Sequence, residues 1–570
     1  MTLRQNGSQA LAWGAFEAGV SLVTGYPGSP STAVVEAMAA LQAQGVAGDG
    51  AQIDWASNEK SAFDTALGVS LAGQRALVCM KNVGLNVALD SLMVANLAGG
   101  PGGLVVLVGD DPGGWGSQNE EDSRPLAAAA EVPLLEPVRV EDLAPAMGQA
   151  FLLSEQFQVP VVVRLTLSMF QATLENAPRP SPPLPPRPPA FDRQPERWNV
   201  LPIRVVALHR ELQASLEKVR TVFEASPLNR LDQVAGGGKG IVAAGGTYQK
   251  LRELGLGIPG ATEPAPDQSP LSVLALATLH PLPEERLLSF LRERDEILVV
   301  EETAPFLEVQ IQALAQRAGL SLPILGRASG HLPRAGELQA PELRAALASF
   351  LPGHPWPPVD EGKRTMPSRQ PLCDDCPYTP LLRALTAVME RHGGREAFLV
   401  TGETGCMVRA QLPPWQILDA KYGMGGQHCP GGGAGPQRAP TQGGGPGGRF
   451  GPAAQRPGRP RGRGPGRPAL AGGGAGQWHD GPFGRPATPG LGARHSGAAS
   501  TARRPGGPRS CRRRAAGTRR GSGGRGGNGG GPGGGAGSRR IGSRHLPASL
   551  PPLVGAAPGT SQGQTFRLQS

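Results

Sequence analysis

Residues 1–426 of this 570-residue chain predict an α/β fold built on doubly wound parallel sheets. Three observations point there. Short runs such as "RALVCMK" and "GGLVVLVGDD" are apolar almost throughout, which marks strands buried on both faces. Segments of helical period lie between the runs, the order that builds strand–helix–strand units. Several runs also end in polar loops at their carboxyl ends, where open α/β sheets bind ligands.

Taken in order, "GVSLVTGYPG", "AQIDWA", "RALVCMK", "GGLVVLVGDD" and "VPVVVRLTL" read as buried strands through about residue 170. Amphipathic segments such as "NEKSAFDTALGVSLAG" and "VEDLAPAMGQAFLLSEQF" lie between them and read as helices. Residues 1–175 make the first domain. The stretch "APRPSPPLPPRPPAF" can form neither helix nor central strand and reads as a stiff linker. It belongs to a linker and helical segment over 176–235. A second α/β unit, 236–350, opens at "GKGIVAAGGTYQKLRELG", and "LPGHPWPPVDEGKRTMPSRQP" links it onward over 351–372. A third unit, 373–426, opens with the helix in "LCDDCPYTPLLRALTAVMERHGG" and the strand "EAFLVTG", and stops after "KYGMGG".

The composition then changes abruptly. Residues 427–570 hold 42 of the 84 glycines, 22 arginines, no lysine and one acid, Asp480. That segment carries +21, so residues 1–426 carry −11 and the basic balance belongs to the tail alone. A basic pI, which elsewhere suggests nucleic acid or anionic membrane, says nothing here about residues 1–426. No stretch approaches the roughly 18 apolar residues of a membrane span, and the start lacks a basic region followed by an apolar one. A cytoplasmic protein is expected. Six cysteines, at 79, 373, 376, 406, 429 and 511, are too few for a disulfide scaffold of this size.

Four polar loops carry the chemistry. "YPGSP" (Tyr26, Pro27, Gly28, Ser29, Pro30) is a tight turn after the first strand, and by itself reads as just a turn. In "DWASNEKSAFDTA", Glu59 opens an apolar helix, where an acid also complements the helix dipole. "MKNVGLN" and "GDDPGGWGSQNEEDSR" are further polar loops at strand carboxyl ends. Several such loops on one sheet edge make a site.

In that order the four motifs resemble the α subunit of indolepyruvate ferredoxin oxidoreductase, a thiamine-diphosphate enzyme of the 2-oxoacid:ferredoxin oxidoreductase group. The resemblance covers nearly all of residues 1–426. It implies that 1–175 hold the aminopyrimidine of the cofactor, that 236–350 resemble the transketolase C-terminal domain, and that 373 onward begins the diphosphate-binding domain. Glu59 matches the glutamate that hydrogen-bonds an aminopyrimidine nitrogen, where proton exchange turns the cofactor's own amino group into a base. Ser29 matches a threonine whose hydroxyl or backbone amide can meet the substrate carboxylate. Tyr26, Pro27 and Gly28 complete that turn. Lys81, Asn82, Gly84, Asn119 and Arg124 match positions around the thiazolium and the domain interface.

Cys373 and Cys376 form a C-x-x-C, a pattern that serves zinc, redox chemistry or neither. With Cys406 it is similar to ligands of the [4Fe-4S] cluster nearest the thiamine, which needs a fourth thiolate. Asp374 and Asp375 stand where the family has Pro-Gly, and Gly402-Glu403-Thr404-Gly405-Cys406 replaces its Gly-Asp-Ile-Gly-Cys, so zinc stays an alternative. The resemblance further implies Mg²⁺, a smaller β subunit, ferredoxin, coenzyme A and a 2-oxoacid substrate. A non-oxidative thiamine-dependent decarboxylase is the alternative that would not need the three cysteines as a set.

The tail departs from the family altogether. After "YGMGG" the resemblance implies a Ser-Ile-rich helix, a Gly-Asp-Ser…His-Ser-Gly loop for Mg²⁺ and an Asp-Asn-Gly-Thr-Thr segment. None appears. Instead come Gly, Ala, Arg and Pro, whose codons are rich in G and C. Written as degenerate codons and read one base later, "GQHCPGGGAG" from Gly426 permits Gly-Ser-Ile-Ala-Leu-Ala-Ala-Gly-Leu. "GRFGPAAQRP" from Gly448 permits Gly-Asp-Ser-Ala-Leu-Leu-His-Ser-Gly. "GQWHDGPFG" from Gly476 permits Asp-Asn-Gly-Thr-Thr-Ala-Leu-Ser. Its glycine is forced, because Trp478 has a single codon and His479 begins with C. Three expected motifs in order and in one frame imply a one-base slip near Gly425 or Gly426 and a disordered tail over 427–570. The competing reading is an Arg/Gly-rich RNA-binding arm. The tail lacks regular spacing and aromatic repeats beside its Arg-Gly pairs, so it would meet nucleic acid only non-specifically, through charge.

Overall fold

The computed structural model describes residues 3–45, 50–177, 184–185, 187–232, 238–256, 271–360, 362, 371–373, 375–402, 405–421 and 437–438. The tail readings at Gly426, Gly448 and Trp478 to Asp480 lie outside the described residues.

The first unit begins with β1 (Leu3–Asn6) and α1 (Gly7–Glu17), then β2 (Leu22–Gly25), α2 (Thr32–Ala43), β3 (Gln52–Trp55) and α3 (Glu59–Leu71). It continues with β4 (Ala76–Lys81), α4 (Asn82–Ala98), β5 (Leu104–Asp110), α5 (Arg124–Ala129), β6 (Leu134–Leu135), α6 (Leu143–Phe157) and β7 (Val161–Thr166). The five apolar runs are β2, β3, β4, β5 and β7. β6 is only two residues long, too short to show a pattern in the sequence.

These six strands lie parallel in the order β6-β7-β5-β4-β2-β3. β2, β4, β5 and β7 are buried on both faces because both are covered. β3, also expected to be buried, lies at the sheet edge and is mostly exposed, with Gln52, Asp54 and Trp55 facing solvent. Val78, Met80 and Val106 pack on one side with α3 and α4, while Leu77, Cys79 and Val105 pack on the other with α1, α2 and α6. From β2 the chain crosses to the edge strand β3 and returns past β2 to β4. The helices after β2 and β4 therefore lie on opposite faces, and the crevice between the carboxyl ends of these two strands is a switch point. "YPGSP" and "KNVGLN" leave the sheet there.

After β7 come α7 (Leu167–Gln171) and β8 (Thr173–Ala177), which pairs antiparallel with β1, then α8 (Pro195–Trp198) and α9 (Val205–Glu224). The described part of the Pro-rich linker is tied to the first unit. Arg187 pairs with Glu155, Gln74 donates to the Arg187 carbonyl at 2.6 Å, and the Ala190 amide donates to the Ala72 carbonyl at 2.8 Å. Helix α9 presents Leu208, Leu212, Leu216, Val219 and Phe223 as one buried stripe of helical spacing.

The second sheet has the order β14-β13-β10-β11-β9, from β9 (Arg230–Asp232), β10 (Lys239–Ala244), β11 (Ser272–Leu276), β13 (Glu296–Val300) and β14 (Ile324–Leu325). Only β9 runs antiparallel. β12 (Thr278–His280) leaves this unit to pair antiparallel with β6 on the first sheet. Helices α10 (Gly246–Glu253), α11 (Glu284–Arg292), α12 (Phe306–Arg317) and α13 (Ala340–Phe350) cover the second sheet. One continuous core, from Phe63 and Leu85 to Val242 and Leu287, joins the two sheets.

The third unit has α14 (Tyr378–Arg391), β15 (Phe398–Leu399), β16 (Thr401–Gly402) and β17 (Ala420–Lys421), with β16 and β17 parallel. The strand read in "EAFLVTG" is broken at Val400. Its amide donates to Asp419 Oδ2 at 2.6 Å, so a side chain takes the bond that a neighbouring strand would have used. Among the described residues no helix is long and apolar enough to cross a membrane.

Candidate functional site

The site is built at the switch point from the residues that follow β2, β3, β4 and β5. Glu59 is the first residue of α3. The side chain of Asn58 caps that helix by accepting from the Ser61 amide at 2.8 Å, while Ser61 Oγ accepts from the Asn58 amide at 3.2 Å. The apolar residues Ala62, Phe63 and Ala66 turn the buried face of α3 inward and carry Glu59 with them. Glu59 is 2% exposed, yet its Oε2 has no hydrogen-bond partner among the described residues. Burial pushes this carboxyl above the usual carboxylate range, opposed in part by a hydrogen bond to its own backbone amide and by the charge of Lys81.

Gly84 opens the space for it. A methyl group built on Gly84 would stand 2.6 Å from Glu59 Cγ and 2.8 Å from Oε1, so a side chain there would displace the carboxylate. Gly28 does the same for Lys81: a methyl group would stand 2.9 Å from both Cγ and Cδ of the lysine. The turn around Gly28 is closed by its own groups. Its amide donates to Thr32 Oγ1 at 2.7 Å and its carbonyl accepts from Ser31 Oγ at 2.9 Å. Tyr26 is half-buried, whereas Pro27 and Ser29 face solvent. The Lys81 amine is lowered from its ordinary value by burial, opposed by Asp111 and Glu59 and assisted by Lys421.

The long loop after β5 roofs the site. Asn119 and Asn86 donate to Glu121 Oε2 at 2.8 and 3.0 Å, and buried Asn82 donates to the Glu121 carbonyl at 3.3 Å. Glu121 is thus the hub that joins three of the motif asparagines. Its role has little local signal in the sequence, because two of its three partners, Asn82 and Asn86, lie on α4. Gln118 accepts from Lys421 at 3.3 Å, which brings the third unit to the same loop.

Arg124 sits elsewhere than a ligand-facing position would put it. It is fully buried, donates to Asp122 through Nε and Nη2, to Glu301 through Nη1 at 2.9 Å and to the Ala304 carbonyl at 2.8 Å, and stands over the Phe306 ring. These donors are spent inside the protein, so Arg124 reaches the site only by holding the loop to the second unit. Asp122 reinforces this by accepting from the amides of Thr303 and Ala304. Two flanking bonds do likewise: Trp115 donates to Glu337 at 2.9 Å, and the Gly336 amide to Glu120 at 2.7 Å. Behind them Arg164 pairs with Asp110 and Glu136, all three buried. Apart from Arg124 itself, these loop and network partners were not singled out in the sequence.

Cys373 and Cys376 lie in one turn, where the Cys376 amide donates to the Cys373 carbonyl at 3.0 Å. Cys376 is buried and Cys373 partly so. The side chain of Cys406 lies outside the described residues. Among the described residues no cluster of three or more His, Cys, Asp or Glu is arranged to hold a metal.

Glu59 allows a stability prediction. Its folded-state pKa is raised, so its contribution to stability is complete below the ordinary carboxylate range and is lost as pH rises through the raised value. Glu59→Gln does not titrate. The variant is therefore expected to melt close to the parent near pH 4 and to gain on it as the pH rises to 8, by about 1 kcal/mol, the lower end of the cost of an unsatisfied buried polar group. Melting curves of both proteins at the two pH values check this; a gap independent of pH would contradict it.

Comparison with known proteins bears on the family. Residues 13–179 match the family described as pyruvate flavodoxin/ferredoxin oxidoreductase, thiamine diphosphate-binding. The chain is 33% identical over 435 residues to the indolepyruvate oxidoreductase subunit IorA of Pyrococcus abyssi, covering 74% of this chain and 64% of that protein. It is 32% identical over 429 residues to IorA of Methanothermobacter marburgensis, covering 74% and 66%. The chain thus spans just under two thirds of the length of these relatives. Among solved structures, a 2-oxoglutarate:ferredoxin oxidoreductase from Magnetococcus marinus aligns at 19% identity with a TM-score of 0.46, over 61% of this chain and 65% of that one. The chain is therefore similar over 74% of its length to indolepyruvate oxidoreductase IorA subunits, and its residues 13–179 match the thiamine-diphosphate-binding family of pyruvate flavodoxin/ferredoxin oxidoreductases.

Proposed function

We propose that this chain is the α subunit of a cytoplasmic oxidoreductase that decarboxylates aryl 2-oxoacids such as indolepyruvate oxidatively. Coenzyme A would take the acyl group, and ferredoxin would take the electrons with a smaller β subunit as partner. The observation that carries the reading is Glu59, a buried carboxyl with an unpartnered oxygen at a sheet switch point. That is the chemistry an aminopyrimidine nitrogen requires, and the residues present fit the group. Thiamine diphosphate, when bound, supplies the electron sink that decarboxylation of a 2-oxoacid needs. Glu59 holds or releases the proton at the ring nitrogen through Oε2. Gly84 keeps the ground beside that carboxylate clear. Glu121, with Asn82, Asn86 and Asn119, holds the roof loop over the crevice.

Cys373, Cys376 and Cys406 are the proposed ligands of a [4Fe-4S] cluster, with a fourth ligand supplied downstream. Mg²⁺ on the diphosphate would come from the Gly-Asp-Ser and Asp-Asn-Gly-Thr-Thr loops, which this chain carries only in the neighbouring reading frame. As written, the chain therefore does not retain the cofactor.

The test compares the chain as written with one encoded after restoring the frame at Gly425 or Gly426. Titration with thiamine diphosphate and Mg²⁺, followed by tryptophan quenching, should show saturable binding only in the restored protein. Equal binding by both proteins, or by neither, sinks the account. Sequencing the genomic DNA across the codons for Lys421 to Pro436 then decides whether the slip lies in the gene.

A further inference from the structure

We infer that Lys81 supplies the positive charge that seats the carboxylate of the 2-oxoacid, beside the exposed hydroxyl of Ser29; this rests on the reading just proposed and adds the group that recognises the substrate's charge. The substrate is an anion, and the deep ionisable groups around the crevice are of the wrong sign to receive it. Glu59 and Asp111 are both about 2% exposed, and each keeps a carboxylate oxygen without a partner among the described residues, Glu59 Oε2 and Asp111 Oδ1. The other oxygen of Asp111 is held by the Gly116 amide at 2.7 Å. Lys421 brings a second cation to the rim, but it is engaged with Gln118.

Lys81 is differently placed. It is the last residue of β4, at the carboxyl edge of the switch point, and its stem lies across Gly28, one residue before Ser29. Its ammonium feels both Asp111 and Glu59, yet it forms a hydrogen bond or close ion pair with neither among the described residues. A partly buried ammonium that keeps all three donors open is an anion site in waiting. The glycine of "YPGSP" acquires a purpose here as well. Any side chain at 28 would push the lysine stem out of the crevice, so the turn and the lysine act as one device.

The test uses the full 570-residue chain and requires no variant. Acetylation by an N-hydroxysuccinimide ester at pH 7.5, followed by peptide mass spectrometry, reads the rate at Lys81 against the exposed Lys218 in the same sample. Phenylpyruvate is the probe, and phenylacetone, which has the same ring and ketone without the carboxylate, is the control. Phenylpyruvate should slow acetylation of Lys81 at least threefold and leave Lys218 unchanged, while phenylacetone should protect neither. No protection at Lys81, equal protection by both compounds, or uniform slowing of both lysines overturns the proposal. Calorimetric titration of phenylpyruvate into Lys81→Met and Lys81→Arg provides a second reading. Affinity should fall at least tenfold in the first and survive in the second; equal affinity of Lys81→Met and the parent overturns it too. Thiamine diphosphate binding is measured separately on the frame-restored protein, so protection of Lys81 with no cofactor binding by the restored protein would leave Lys81 standing and remove the cofactor reading, and the reverse pattern would do the opposite.

Discussion

Glu59→Gln is expected to lower thiamine-dependent oxidation of an aryl 2-oxoacid by about 10²–10⁴-fold, the usual worth of a positioned proton-transfer group. The measurement is viologen reduction by the frame-restored protein assembled with its partner subunit. The amide keeps the size of the carboxyl and can still hydrogen-bond a ring nitrogen, so cofactor affinity should fall far less than turnover. It cannot exchange a proton there, and so the loss belongs in kcat. A fall confined to KM would mean that Glu59 only binds. The same substitution is the one expected to stabilise the unliganded chain above the carboxylate range. A residue whose removal stabilises the fold and stops the chemistry is a group held in an unfavourable state for its function. Other carboxylates divide by their surroundings. Asp122, Asp142 and Glu155 are held below the usual range, the first by Arg124, the second by Arg139 and Arg230, and the third by Arg75 and Arg187. Asp110, Glu136 and Glu301 are raised by burial although each meets an arginine. Glu59 is set apart by its missing partner and not by the shift alone.

The second large effect concerns Arg124. Arg124→Met should cost about 3–5 kcal/mol, because it leaves Asp122 and Glu301 buried without their shared cation. That is a large fraction of the ~5–15 kcal/mol by which domains are ordinarily stable. Denaturant unfolding should show the loss, and limited proteolysis should find the loop over 111–123 cut first, since Arg124 and Asp122 tie it to the second unit. The acid limb should change as well. Arg124 holds the Asp122 carboxyl well below its ordinary range, so that pair stabilises the fold above about pH 4 and loses its contribution as pH falls further. In Arg124→Met this share of the acid dependence should vanish. Adding Asp122→Asn and Glu301→Gln to the variant should recover part of the stability, because no uncompensated charge then remains. A single variant within 1 kcal/mol of the parent would show that water or another cation satisfies the two carboxylates.

Much of this was legible in the chain itself, for local reasons. A strand buried on both faces has to be apolar at consecutive positions, so β4 and β5 announce themselves whatever they pack against. A helix that opens with a capped acid is equally visible, and Glu59 is such a residue. Polar residues that follow apolar runs mark the carboxyl edge of a parallel sheet, and this is why "YPGSP", "KNVGLN" and the 110–124 loop could be grouped before any coordinate was known. Short elements escape: β6 has two residues, β12 has three, and both are strands only because a neighbour offers its edge. The break at Val400 likewise depends on Asp419, nineteen residues further on.

What the sequence by itself determined was therefore the fold class, the order of the elements and the identity of the loops that meet at the switch point. The tertiary structure alone decided what those loop residues do. Arg124 looks like a ligand-binding residue when read within its motif, and it becomes a clamp only because Glu301, 177 positions away, is carried to it by the second sheet. Lys81 looks like one more motif residue until Gly28, from a different loop, is seen to make room for its stem. Glu121 becomes a hub only when α4 brings Asn82 and Asn86 beneath it. The physical reason is the same in each case. Periodicity and capping are set by neighbours along the chain, whereas the pairing of a buried charge is set by whichever segment the fold brings within hydrogen-bond reach.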